Sequence, residues 1–140
     1  MLNYDNLDKT LQSASASDLA RIVWQGAQHN PVLMKIAILH ATFISTDTES
    51  ALVDVVRETA TIEDHVPYAE ADAYCQILDE IIVLIKRTHD QGNSNRAIQL
   101  AETAVLAAAN SSENIMDGDY WEMSLEELRT LLETLKSTTA

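Results

Sequence analysis

The sequence predicts an all-α fold, with six or seven helices arranged as stacked antiparallel hairpins. Three observations lead there. Apolar residues recur in steps of three and four along most of the chain. No segment alternates apolar and polar for long. Three Gly and two Pro in 140 residues leave few places for the tight turns of β-hairpins.

The stretch 73–109 organises the rest. Tyr74, Ile77, Leu78, Ile81, Ile82 and Ile85 fall on one helical stripe. The run 81–85 is apolar throughout, as expected of a helix buried on more than one side. Gly92 then suits the left-handed residue that closes a helix, and Asn93 or Ser94 suits the cap of the next. In the second half, Ala97, Ala101, Ala104 and Ala108 are spaced to let two helix backbones approach closely.

The other elements follow in order. Residues 1–16 are polar and Ser/Ala-rich, with a short helix expected near 4–12 from Leu2, Leu7 and Leu11. Ser17 is placed to cap a helix over 18–29, whose face is Leu19, Ile22, Val23 and Ala27, with Trp24 flanking. Asn30-Pro31 marks the next boundary, because Asn caps and Pro fits a first turn where its missing N–H costs nothing. The helix from Pro31 to about Ile44 carries Leu33, Ile36, Ala37, His40 and Phe43 or Ile44 on its stripe. Thr46-x-x-Glu49 has capping-box form and opens a third helix to about Ile62, with Leu52, Val55, Val56 and Ala60 facing in. Pro67 starts the longest helix, ending near His89, and the next spans about 94–109. Asp117-Gly118-Asp119 reads as a turn, preceded by a helical turn within 112–116. Ser124-x-x-Glu127 is a second capping box, opening a last helix with Leu125, Leu128, Leu131, Leu132 and Leu135 on its stripe. Residues 1–140 form a single domain, fraying at 1–16 and 137–140.

Composition narrows function by exclusion. The formal net charge is −13, from 22 acidic and 9 basic residues. That opposes a nucleic-acid surface, which needs clustered Lys and Arg, and an anionic membrane surface. It suits a basic partner, or simple solubility. The single cysteine, Cys75, excludes an intramolecular disulfide and a Cys-rich zinc site. The N-terminus lacks the basic start and apolar run of a signal peptide, and no apolar run approaches a membrane span, so a cytoplasmic location is expected.

No two of His29, His40, His65 and His89 stand three or four apart, the spacing of helical metal ligands. Glu63-Asp64-His65 pairs carboxylates with an imidazole, the minimal material for a weak metal site or a general base. From Asp117, the sixth and twelfth positions are Glu122 and Leu128, so the calcium-loop pattern fails. Glu70, Asp72, Asp79 and Glu80 lack the Glu-x-x-His motifs of a di-metal bundle and read as a solvated face. Asp72 and Asp79 oppose a Cys75 thiolate. Tyr120, Trp121 and Met123 form an aromatic patch of interface-enriched types, though such residues more often fill a small core. Leu128 and Leu132 share that ambiguity, either completing the bundle or zipping against a second copy. These five residues are the candidate partner surface.

Two resemblances add to this reading. Gly92-x-x-x-x-Ala97, followed by Ala101 and Ala104, resembles the second helix of a tetratricopeptide repeat. Ile81 and Leu84 fit the family's large apolar positions in the first helix. Ile85 and Thr88 depart from its small and aromatic ones. The resemblance implies one such hairpin rather than an array, beside the alternative of an irregular bundle. More broadly, the opening NLDKTLQSASASDLARIVWQGAQHNPVLMKIA, the segment YAEADAY, the Gly92 hairpin and an acidic turn before a Leu-rich helix resemble the helical region that follows the zinc finger in bacterial SWIM-type proteins. The finger's own cysteines are absent. This resemblance implies a scaffold with an interaction role and carries over no catalytic residue. The expected function is therefore a non-enzymatic protein–protein interaction module, without cofactor or metal, whose groove lies beside the central hairpin and has acidic walls. The alternatives are a homodimer joined through residues 125–135, and a metal-dependent enzyme using Asp64 and His65.

Overall fold

A computed structural model describes residues 6–45, 49–116 and 119–139. Among the described residues seven α-helices follow one another: α1 (Leu7–Ser13), α2 (Ala16–Ala27), α3 (Pro31–Ser45), α4 (Glu49–Ala60), α5 (Tyr68–Asp90), α6 (Ser94–Ser111) and α7 (Asp119–Thr139). A 3₁₀ turn, Ser112–Asn114, follows α6. The all-α bundle expected from the sequence is the fold observed, with no strand among the described residues beyond one isolated bridge pair.

Helix α6 lies at the centre, against α4, α5 and α7. Its alanines explain how three neighbours fit. Ala97, Ala101, Ala104 and Ala108 are fully buried, and their small side chains admit the large ones of the facing helices. Helix α5 supplies Ile77, Leu78, Ile81, Ile82 and Ile85, and α4 supplies Leu52, Val55, Val56 and Ala60, all buried as their spacing predicts, while Tyr74 of the α5 stripe is only half-buried and Leu84 joins the core beside it. The α5–α6 turn closes by a Schellman motif. Gly92 has φ +90°, its N–H reaches His89 O, and the Asn93 N–H reaches Thr88 O. Asn93 occupies the cap position without a side-chain bond, and Ser94 Oγ instead meets His89 Nδ1 at 3.1 Å.

Several boundaries differ from expectation for identifiable reasons. Ser15, not Ser17, caps α2, its Oγ accepting the Asp18 N–H at 3.1 Å. Asn30 caps α3 as expected, accepting from Leu33 N–H. Ile36 and Phe43 pack against the core as expected, Val32 and Leu39 are buried in place of Leu33 and His40, and Ile44 points outward at 83 % exposure. The Thr46 capping box and most of the 117–119 turn lie outside the described residues. The largest departure is α7, which begins at Asp119, so Ser124 is inside the helix and caps nothing. Its buried hydroxyl donates to Asp79 Oδ1 at 2.9 Å and ties α7 to α5.

Two polar devices hold the loops. Ser111 Oγ accepts the Ile62 N–H at 2.8 Å, and its single proton faces the Ala107 and Ala60 carbonyls at 2.8 and 3.0 Å. Asn114 Nδ2 donates to Ile62 O, while Val66 and Ile115 pair as a short parallel bridge. The α4–α5 and α6–α7 connections are thereby clasped together. On the other side, Lys35 Nζ from α3 donates to Glu58 O, Thr59 O and Thr61 O, carbonyls at the end of α4 that lack helical partners.

Candidate functional site

The sequence-based partner surface divides in two. Trp121 is 1 % exposed and Leu128 fully buried, and Leu132 is also in the core, as are Leu125 and Leu135. The physical reason is α6, whose small-residue face needs large apolar partners. Trp121 fills that role and also donates from Nε1 to Ala108 O at 3.1 Å. That carbonyl is available because the chain tightens here, with Ser112 N–H bonded to Ala109 O. These three residues therefore belong to the monomer's core, as does the 125–135 stripe apart from the half-buried Leu131. Tyr120 and Met123 are exposed, at 55 % and 66 %.

Helices α2 and α3 supply the face that sequence reasoning missed. Helix α2 is amphipathic, yet only Ala27 of its apolar stripe is buried. Ile22 and Val23 are exposed and Trp24 is 59 % exposed, against the expectation that this stripe faces inward. Helix α3 is apolar on nearly every side, with only Lys35, His40, Thr42 and Ser45 polar. One side meets α4 and α5, and the other is shared with α2. Gly26 brings the two helices together, since a Cβ there would lie 3.2 Å from Leu33 Cδ2. Between them runs an open apolar groove of about 420 Å³. Small residues Ala20, Ala27, Ala37 and Ala41 line it together with Leu19, Val23, Trp24, Met34 and Ile38.

Charge sets this face apart. No Asp or Glu occurs from Leu19 through Ser45, although the chain carries 22. The Lys and Arg of that stretch are Arg21 and Lys35. Arg21 pairs with Asp18 across one turn at 3.8 Å, and Lys35 is committed to α4. The groove thus has neither the position beside α5–α6 nor the acidic walls that were expected, and none of its lining residues is a carboxylate. The signal was legible as a 28-residue gap between Asp18 and Asp47 in an acidic sequence, coinciding with a helix that is apolar all round.

A second, polar cleft of about 590 Å³ separates the α3 N-terminus from the α4–α5 connection. Glu63 and Asp64 line it with Lys35, Arg57 and Glu58, while His65 is exposed and lies outside the lining. Burial pushes the Lys35 ammonium below the usual lysine range, and the Glu63 and Glu58 carboxylates partly offset this. Among the described residues, no three His, Cys, Asp or Glu side chains converge as metal ligands would.

His40 and Cys75 have structural partners. His40 Nε2 meets Glu80 Oε2 at 2.8 Å and links α3 to α5. Cys75 Sγ donates to Asp72 O at 2.7 Å. Burial, then the Asp79 and Asp72 carboxylates, push its thiol up, opposite to the activation a nucleophile needs. No helix of the described residues is long and apolar enough to cross a membrane. Compared with known proteins, the chain matches no family model, no curated protein and no solved structure.

Proposed function

We propose that this chain is a non-enzymatic helical interaction module, acting in the cytoplasm, whose contact face is the groove between α2 and α3. One observation carries the reading: a charge-free apolar groove of about 420 Å³ stands open beside Trp24 on an otherwise acidic protein. A helix apolar all round is ordinarily covered on all sides, and α3 is not. Large aromatic side chains beside a shallow apolar groove are the usual anchors of protein contacts. The partner this face suits is apolar, because a basic partner meets no carboxylate among the lining residues.

The α5–α6 pair fits this role as a rigid tetratricopeptide-like support, as the resemblance to the helical region of SWIM-type proteins implies. The test compares protein retained from native lysate by the wild-type chain and by Trp24→Glu and Ile38→Glu baits. Both positions are exposed, so both variants are expected to fold. Material held by the wild type and lost from both variants is the expected result. An identical set on all three baits would overturn the assignment of the face.

A further inference from the structure

We infer that the occupant of the α2–α3 face is a second copy of this chain, pairing about a two-fold axis so that two helical hairpins form a four-helix layer. The inference rests on the reading of α2–α3 as a contact face and goes further by naming what covers it. Three properties of the face select a copy of itself.

The first is charge. Two chains that each carry −13 repel unless they meet where carboxylates are absent. Residues 19–45 contain none, so this face lets two acidic copies meet without opposing like charges. A basic partner would gain little here, because the carboxylates it needs lie elsewhere.

The second is shape. An isologous contact requires projections and recesses on the same surface, so that residue i of one copy meets residue j of the other and the reverse also holds. This face has both. Trp24, Val23 and Ile38 project, while Ala37 and Ala41 floor the recess between the helices. Trp24 of each copy can therefore enter the groove of the other.

The third is size. The half-exposed side chains of Val23, Trp24 and Ile38, with the part-exposed groove floor, offer on the order of 400 Å² of apolar surface per copy, a size at which a patch on a monomer is often functional. The polar rim of a two-helix contact brings such a patch toward the roughly 800 Å² per partner of a stable interface.

Sedimentation of the whole chain from low to high micromolar concentration tests the pairing. Wild type should reach the mass of two chains. Trp24→Glu and Ile38→Glu should sediment as single chains with unchanged helical circular dichroism, their dissociation constants raised ~100-fold or more. A Tyr120→Glu, Met123→Glu variant, exposed on α7, should pair like wild type. A wild type that stays a single chain throughout overturns the pairing. So does a dimer that both α2–α3 substitutions leave intact.

Wild-type fluorescence gives a second measurement should a substitution unfold the protein. Trp121 is buried in the monomer and constant, so dilution should red-shift emission from Trp24 alone, in step with the fall in mass. Emission independent of dilution while the dimer dissociates also overturns the proposal. A monomeric wild type that still retains another protein through Trp24 and Ile38 would sink the pairing and leave the interaction-module reading standing. Loss of both would sink the two together.

Discussion

Ser111 shows how much one hydroxyl can hold at the residue scale. It satisfies a buried N–H from another segment and lies within reach of two carbonyls, at a point where two loops meet. Ser111→Ala would leave the Ile62 N–H buried without its partner. A loss of about 2 kcal/mol in denaturant-derived stability is expected, with the denaturant slope unchanged. A loss within error would mean that water or Asn114 replaces the hydroxyl. Cys75 is a contrasting residue. Its neighbours raise the thiol's affinity for its proton, so its chemistry is that of a packed thiol with a backbone acceptor. The Cys75 environment was legible from Asp72 and Asp79 nearby in sequence, whereas the role of Ser111 is set by Ile62, far away in the chain.

Each element shows a different balance between local signal and tertiary demand. The α5–α6 hairpin is where they agree. Its apolar stripe, its glycine and its alanines were all legible, because local spacing and the closing turn specify the same geometry. Gly92→Ala tests the turn alone, since a Cβ there meets nothing within 4 Å. The cost is then purely that of φ +90°, about 1 kcal/mol, and should appear as a lower denaturation midpoint with helicity intact. A neutral result would mean the turn adopts another closure. Helix α7 is where they disagree. Ser124-x-x-Glu127 has the form of a capping box, but the helix starts earlier because Trp121 has to be helical to fill the space over α6 and reach Ala108 O. A cap signal of about 1 kcal/mol does not outweigh the several kcal/mol of burying a tryptophan.

For the whole molecule, the core and the open face divide the chain. Helices α4 to α7 enclose α6 and hold most of the buried apolar residues, while α1 has none and α2 only Ala27. The Leu stripe of α7 belongs to the first group. Leu128→Glu should therefore unfold the protein, with loss of more than about 4 kcal/mol and of the cooperative thermal transition, because it buries a charge without a partner. A folded, merely monomeric Leu128→Glu protein would contradict the burial of that stripe. The same substitution at Trp24 or Ile38 should leave the fold intact. That opposition between two equally apolar stripes separates core from contact face.

The sequence by itself determined the helical class, the order of helices, the α5–α6 hairpin and the inward stripes of α4 and α5. Those follow from periodicity and turn chemistry, which act over a few residues. It also contained the acid-free stretch 19–45, a property of composition rather than of contact. Only the tertiary structure decided which of two similar stripes is buried. The stripes Leu19, Ile22, Val23, Ala27 and Leu125, Leu128, Leu131, Leu132, Leu135 each lie along one helical face. The second is buried, Leu131 in part, because α6 offers it a face of alanines and α5 a facing apolar wall, and the first meets only one side of α3. Periodicity states that a helix has an apolar face; which neighbour is free to cover it depends on contacts far apart in the chain.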